Sequence, residues 1–145
     1  MALEHIPVIP VPSADPLTGN APAVLSEIAG LLAGLAERNE GGVIDLAGMP
    51  LSQSDKEWLT EKLGQGEIAM TLDLDGASEV RETAFPGVWW LVHHNEKGVL
   101  TGEFIEVGRV PSLVPAHPDD IQDAARRLGF VVEDLYPDMM GDPKH

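Results

Sequence analysis

A chain of 145 residues with 43% hydrophobic and 23% charged side chains has the composition of one globular domain with a core. Its 24 acidic against 9 basic residues leave a net charge of −15, which repels phosphate backbones and anionic membranes and argues against a nucleic-acid partner. It has no cysteine, so disulfides, thiolate zinc sites, cysteine-held iron–sulfur clusters and cysteine nucleophiles are excluded.

Residues 1–22 contain five prolines, Pro7, Pro10, Pro12, Pro16 and Pro22, and are expected to form an extended arm. Ile6, Val8, Ile9 and Val11 between them can dock on the body or on a neighbour. The opening "MALEHIPVIPVP" lacks a basic start and an unbroken apolar run, unlike a signal peptide. No stretch approaches the roughly 20 apolar residues of a membrane helix, so no membrane insertion is expected and the cytoplasm is the expected compartment.

A helix is predicted over 22–38, where Val24, Leu25, Ile28, Leu31, Leu32 and Leu35 recur at three- and four-residue spacing and Gly41-Gly42 marks the stop. "GVIDLA" (42–47) reads as a buried strand. A second helix is predicted over 53–63, with Ser52 and Asp55 as a capping pair and Gly64 as its end. "EIAMTLDL" (67–74) alternates, Ile68, Met70, Leu72 and Leu74 facing one way, and Asp75-Gly76 signals a hairpin. A three-residue loop, Asp75 to Ala77, is expected to set Leu72 opposite Val80, with Arg81 beside Glu67 on the polar face and Glu82 on the apolar face. Strands over 88–94 and 99–107, joined by Asn95 to Gly98, precede a helix over 118–128 that Pro118 opens and Gly129 closes. The expected fold is α+β, with order α-β-α-β-β-β-β-α around a mainly antiparallel sheet of about five strands. The domains read as an arm (1–22), one domain (23–130) and an acidic tail (131–145).

Trp89 and Trp90 must point to opposite faces of their strand, and Leu100 and Phe104 share a face of the next. Both faces of that half of the sheet are therefore partly apolar. Helices or the arm can cover them, or they can form a docking face. Pro86-Gly87 reads either as a β-turn or as a kink that re-aims the tryptophans.

Glu82 on an apolar face is the most unusual acid, and a structural ion pair outweighs catalysis as its role. His93 and His94 diverge from one strand, and the other histidines lie in arm, helix start and tail, so no metal site is expected. "GQGE" lacks the Lys-Ser/Thr of a phosphate loop, and Ser52, Ser54 and Ser78 have no nucleophile elbow. No catalytic residue, metal or cofactor is expected.

Three pieces together, "LGQGEIAM" (63–70), "VRETAFPGVWWLVH" (80–93) and "FIEVGRVPSLVPAHPDDI" (104–121), resemble the conserved C-terminal region of the HupH/HyaF family of hydrogenase expression/formation proteins. The resemblance covers roughly residues 23–130. Its matched positions are Gly64, Gly66, Glu67, Glu82, Thr83, Phe85, Pro86, Gly87, Val88 and Trp89, with Arg81 beside them. It implies an accessory role in maturing an uptake [NiFe] hydrogenase rather than catalysis, with members linked to assembly of the small subunit and its iron–sulfur clusters. Typical members carry a further N-terminal half. The implied partner is a hydrogenase subunit precursor, the small subunit first, or another maturation protein. The expected partner-binding residues are Trp89, Trp90, Phe85, Leu91 and Phe104. Two other readings are a small ligand-binding module or enzyme using Glu82, Arg81 and His93, and a homodimer burying the apolar face against itself.

Overall fold

A computed structural model describes residues 15–136. The elements are α1 (Asn20–Arg38), β1 (Gly42–Asp45), α2 (Gln53–Leu63), β2 (Ala69–Asp73), β3 (Ala77–Glu82), β4 (Val88–His94), β5 (Leu100–Val107) and α3 (Pro118–Leu135). The five strands form one antiparallel sheet in the order β1-β5-β4-β3-β2. The predicted α+β class, element order and strand count are what the chain adopts. The chain divides into two compact units, Met1–Pro111, with the sheet, α1 and α2, and Ser112–His145, with α3. Most of the arm (1–14) and the end of the acidic tail (137–145) lie outside the described residues, whereas 131–135 are helical.

The core of the first unit forms where α1 and α2 meet one sheet face. Ala21, Val24 and Ile28 of α1 and Leu59 and Leu63 of α2 pack against Ile44, Val88, Trp90, Ile105 and Val107. α2 begins at the predicted capping box: the Asp55 N–H donates to Ser52 Oγ (3.1 Å), and the Ser52 N–H donates to Asp55 Oδ2 (2.9 Å). Asp55 also accepts from the Thr18 N–H (3.1 Å) and hydroxyl (2.5 Å), which ties the residues before α1 to the start of α2.

These donors make Asp55 a device with a pH dependence. The Thr18 hydroxyl first, then the Ser52 and Thr18 N–H groups, hold its carboxyl below the ordinary 3.8, against the opposing effect of its burial. A folded-state value below the unfolded one stabilises the fold above the unfolded value, and that stabilisation is lost as pH falls through the folded value. The stability gap between wild type and Asp55→Asn should therefore narrow as urea unfolding is repeated from neutral pH to below 3.8. A gap that stays constant would show that the carboxylate charge contributes nothing.

The structure departs from the sequence reading in detail. α1 ends at Arg38 as expected, but its stop is Asn39, left-handed at φ 57°, whose N–H caps the carbonyls of Gly34 and Leu35, rather than the glycine pair. α3 passes through Gly129 to Leu135, because one helical glycine costs only about 1 kcal/mol and good apolar residues follow. The β2–β3 loop has three residues but is Leu74 to Gly76, so Leu72 faces Ser78 and Met70 faces Val80. Asp75 (φ 54°) and Gly76 (φ 136°) supply the left-handed turn one position earlier than expected. A two-residue slip preserves the faces, so Glu82 still shares a side with Met70 and Val80. It moves Arg81 from opposite Thr71 to opposite Ala69, and the expected Glu67–Arg81 ion pair is not among those the described residues make.

Candidate functional site

The two motif pieces before and after β2–β3 fold into one knot. Gly64 caps α2, its N–H on Thr60 O (2.9 Å), and the chain then turns against the end of β3. The Gly66 N–H donates to the Glu82 carbonyl (2.8 Å), and the Glu67 N–H donates to Glu82 Oε1 (3.1 Å). The Glu82 N–H returns to Ile68 O and the Ala84 N–H to Leu63 O. A Cβ on Gly66 would lie 2.4 Å from Thr83 O and 2.5 Å from Glu82 Oε1, so no other residue fits there without movement. Glu82 is thus a strut for the preceding loop, not a free acid.

Beyond the knot the chain reverses through Phe85-Pro86-Gly87-Val88, with the Val88 N–H on Phe85 O (3.0 Å) and Gly87 at φ 96°. Proline at the second and a positive-φ glycine at the third position make this a type II turn, which settles the two readings of Pro86-Gly87. Buried Thr83 braces it: its hydroxyl accepts from the Phe85 N–H (3.1 Å) and donates to Phe85 O (3.2 Å). The product is Phe85 held rigidly outward, 48% exposed.

Phe85 stands at the edge of an apolar groove of about 510 Å³. Buried Ile28, Leu63 and Val88 form its floor; Leu25, Ala29, Leu32, Ala33 and Ala36 of α1 form one wall; Lys62 of α2 lies at the rim. The Lys62 ammonium sits 5.6 Å from the Trp58 ring centroid. Sequence reasoning missed Ala29, Ala33, Ala36 and Lys62. The available signal was that α1 is apolar over a wider arc than one buried stripe requires.

The expected docking residues fare unevenly. Trp89 and Trp90 do point to opposite faces, paired with Glu106 and Ile105, but both are enclosed, at 3% and 6% exposure. The expectation of an exposed indole is therefore corrected. The Trp90 Nε1 donates to Glu103 Oε2 (2.8 Å), whose other oxygen meets Lys56 Nζ (2.9 Å), and the Trp89 Nε1 donates to Gly108 O (3.0 Å). Each ring is held inward because its polar edge finds a partner there. Leu91 is buried, and Phe104 is half-buried beside the His93 ring (5.7 Å between centroids). Of that set Phe85 alone is exposed.

The residues of the alternative reading are not brought together. Glu82 pairs with Trp89 and Arg81 with Trp90, on opposite faces, while His93 lies four residues along the sheet and shares its Nδ1 with Ser78 Oγ (2.8 Å). Arg81 instead lines a more polar hollow of about 370 Å³ with Gln53, Lys56, Thr60, Trp90 and Glu103. Among the described residues no three histidines, aspartates or glutamates gather as a metal site, and no helix is long and apolar enough to cross a membrane.

Residues 18–135 match the family described as HupH hydrogenase expression protein, C-terminal conserved region. The chain belongs to this family. It is 32% identical over 92 residues to the hydrogenase expression/formation protein HoxQ of Azotobacter vinelandii, covering 63% of this chain and 32% of that protein. It is 30% identical over 118 residues to HupH of Rhodobacter capsulatus, covering 79% and 41%. The fold is also that of the hydrogenase expression protein HupH from Thiobacillus denitrificans ATCC 25259, with a TM-score of 0.78 at 46% identity, over 82% of this chain and 99% of that one. The chain spans about a third of the length of the first of these curated relatives. For this HupH-family chain, the motif positions Gly64, Gly66, Glu67, Glu82, Thr83, Pro86 and Gly87 build the knot and turn that carry Phe85 at the groove edge, whereas Arg81 and Trp89 lie outside them.

Proposed function

We propose that this chain is an accessory factor in hydrogenase maturation that works by binding protein, holding an apolar segment of a client in the α1–α2 groove. The relatives are named as hydrogenase expression/formation proteins, which supports the maturation role. The observation that carries the binding mode is the open, almost wholly apolar groove beneath Phe85. An exposed apolar hollow of that character is the kind of surface that marks protein–protein contact sites. The client is a subunit precursor of an uptake [NiFe] hydrogenase, the small subunit first, or another maturation protein, and the compartment is the cytoplasm. The chain acts as a non-catalytic factor.

The test is affinity recovery of the tagged chain from cells expressing a hydrogenase operon, with identification of what co-purifies. A hydrogenase subunit or maturation protein is expected with wild type and is expected to fall about tenfold or more with Phe85→Asp, since placing a charge in an apolar contact is strongly unfavourable. Equal recovery with a folded Phe85→Asp variant would overturn the binding mode.

A further inference from the structure

Arg81 is a cation without a counter-ion. It is half-buried, and among the described residues its side chain makes no hydrogen bond and no ion pair. An arginine stays charged at any pH a protein meets, and holding that charge partly out of water with nothing beside it is costly. The chain has 24 acidic residues against 9 basic ones, yet sets none of them against this guanidinium. Arg81 also belongs to the motif piece 80–93 while its side chain takes no part in the knot.

The register sets Arg81 opposite Trp90, on the sheet face that α2 packs against. There it lines the polar hollow of about 370 Å³, a volume at the small end of ligand pockets and formed wholly by the first unit. Gln53, Glu57 and Thr60 follow at spacings of four and three, so one face of α2 forms a wall of the hollow. The acids there do not serve Arg81. Glu103 gives one oxygen to Trp90 Nε1 and the other to Lys56 Nζ, and exposed Glu57 makes no ion pair among the described residues. The Thr60 hydroxyl donates to the Lys56 carbonyl (2.8 Å), so its proton is taken. The donors left over are the Arg81 guanidinium, the exposed Gln53 amide and the remaining N–H groups of Lys56.

We infer that this hollow binds a carboxylate borne on an apolar group, with Arg81 as its counter-ion and Gln53 as a second donor. A planar guanidinium fork matches the two oxygens of a carboxylate. Lys56 and Glu103 offset one another, so a single negative charge is what Arg81 lacks. A doubly charged phosphate would instead add to the acid excess of the chain, with Glu57 also lining the site. The apolar body of the ligand lies against Trp90 and Leu100, the latter 45% exposed. Such a carboxylate is either the end of a peptide or a free organic acid. The site is separate from the apolar groove beneath Phe85, and the inference does not rest on the reading of the client.

The experiment is titration of the full chain, followed by nitrogen-15 NMR, with N-acetyl-leucine and with the tripeptide acetyl-Ala-Ala-Leu, each as the free acid and as the C-terminal amide. Both acids are expected to bind saturably, and each amide about tenfold or more weakly, because it lacks the charge that Arg81 meets. Arg81→Gln should weaken the acids about tenfold. Gln53→Glu keeps the side-chain shape and puts an acid where a helix start favours one, so the fold should hold while binding of the acids falls by a similar factor. The tripeptide acid binding more tightly than N-acetyl-leucine would assign the site to a peptide end, and equal binding to a free acid. Acids that do not saturate, amides that bind as well as acids, or binding indifferent to both substitutions in folded variants would overturn the proposal. The affinity recovery described above reports on the client separately.

Discussion

Trp90→Ala should cost about 3–5 kcal/mol of folding stability, the range for removing a large aromatic from a close-packed core. Against a total of about 5–15 kcal/mol for a natural domain, that leaves the chain near its unfolding threshold. Trp90 is 6% exposed and packs in the cluster that joins α1, α2 and the sheet. Its loss also withdraws the indole N–H from Glu103, which keeps only Lys56 as partner. The measurement is the urea midpoint at unchanged slope, followed by circular dichroism so that the signal does not depend on the residue removed. Trp90→Phe is the informative control. It keeps most of the ring volume, deletes the hydrogen bond, and should cost about 1 kcal/mol. A loss below about 1 kcal/mol for Trp90→Ala would mean that the ring is not part of the core.

Gly66→Ala should cost about 3 kcal/mol, the upper end for forcing an extra methyl group into a filled space. The added carbon would meet a backbone oxygen, Thr83 O, at 2.4 Å as well as the Glu82 carboxylate at 2.5 Å. A flexible side chain can swing aside, but a carbonyl fixed in the end of β3 moves only with its strand. Relief therefore requires the 64–67 loop to lift, which breaks the Gly66–Glu82 and Glu67–Glu82 hydrogen bonds together. Because the same segment braces Phe85 through Thr83, client binding should fall even in the fraction that stays folded. Gly30→Ala serves as the contrast: a Cβ there meets nothing within 4 Å in a helix that favours alanine, so stability should hold or rise slightly.

The sequence made the helices and strands of the first unit legible wherever local rules act alone. Ser52-x-x-Asp55 specified the start of α2, and the alternation of Met70 and Leu72 specified the apolar face of β2. Hairpin register was less legible, because Asp75, one of the few non-glycine residues that tolerate a left-handed conformation, takes it here and slides the turn by one place. The end of α3 was illegible for a different reason: Gly129 is a weak stop when Val131, Val132 and Leu135 continue the helix. At the site, strand alternation told which way each indole points but not what lies above it. Enclosure is a matter of tertiary packing, and each ring's N–H partner, Glu103 or Gly108, sits well apart in sequence. The motif pieces were found as residues, yet their joint product, a braced Phe85 over a groove, depends on α1, which carries none of them.

Docking of client in the α1–α2 groove is tested most directly by a photo-crosslinking amino acid placed at position 85 in cells expressing a hydrogenase operon. A second probe at Val99, 56% exposed in the β4–β5 connection, controls for random encounter. The expected result is a covalent adduct to a hydrogenase subunit or maturation protein from position 85 and none from position 99. Adducts to that protein from position 99 alone, or equally from both, would contradict recognition through the groove.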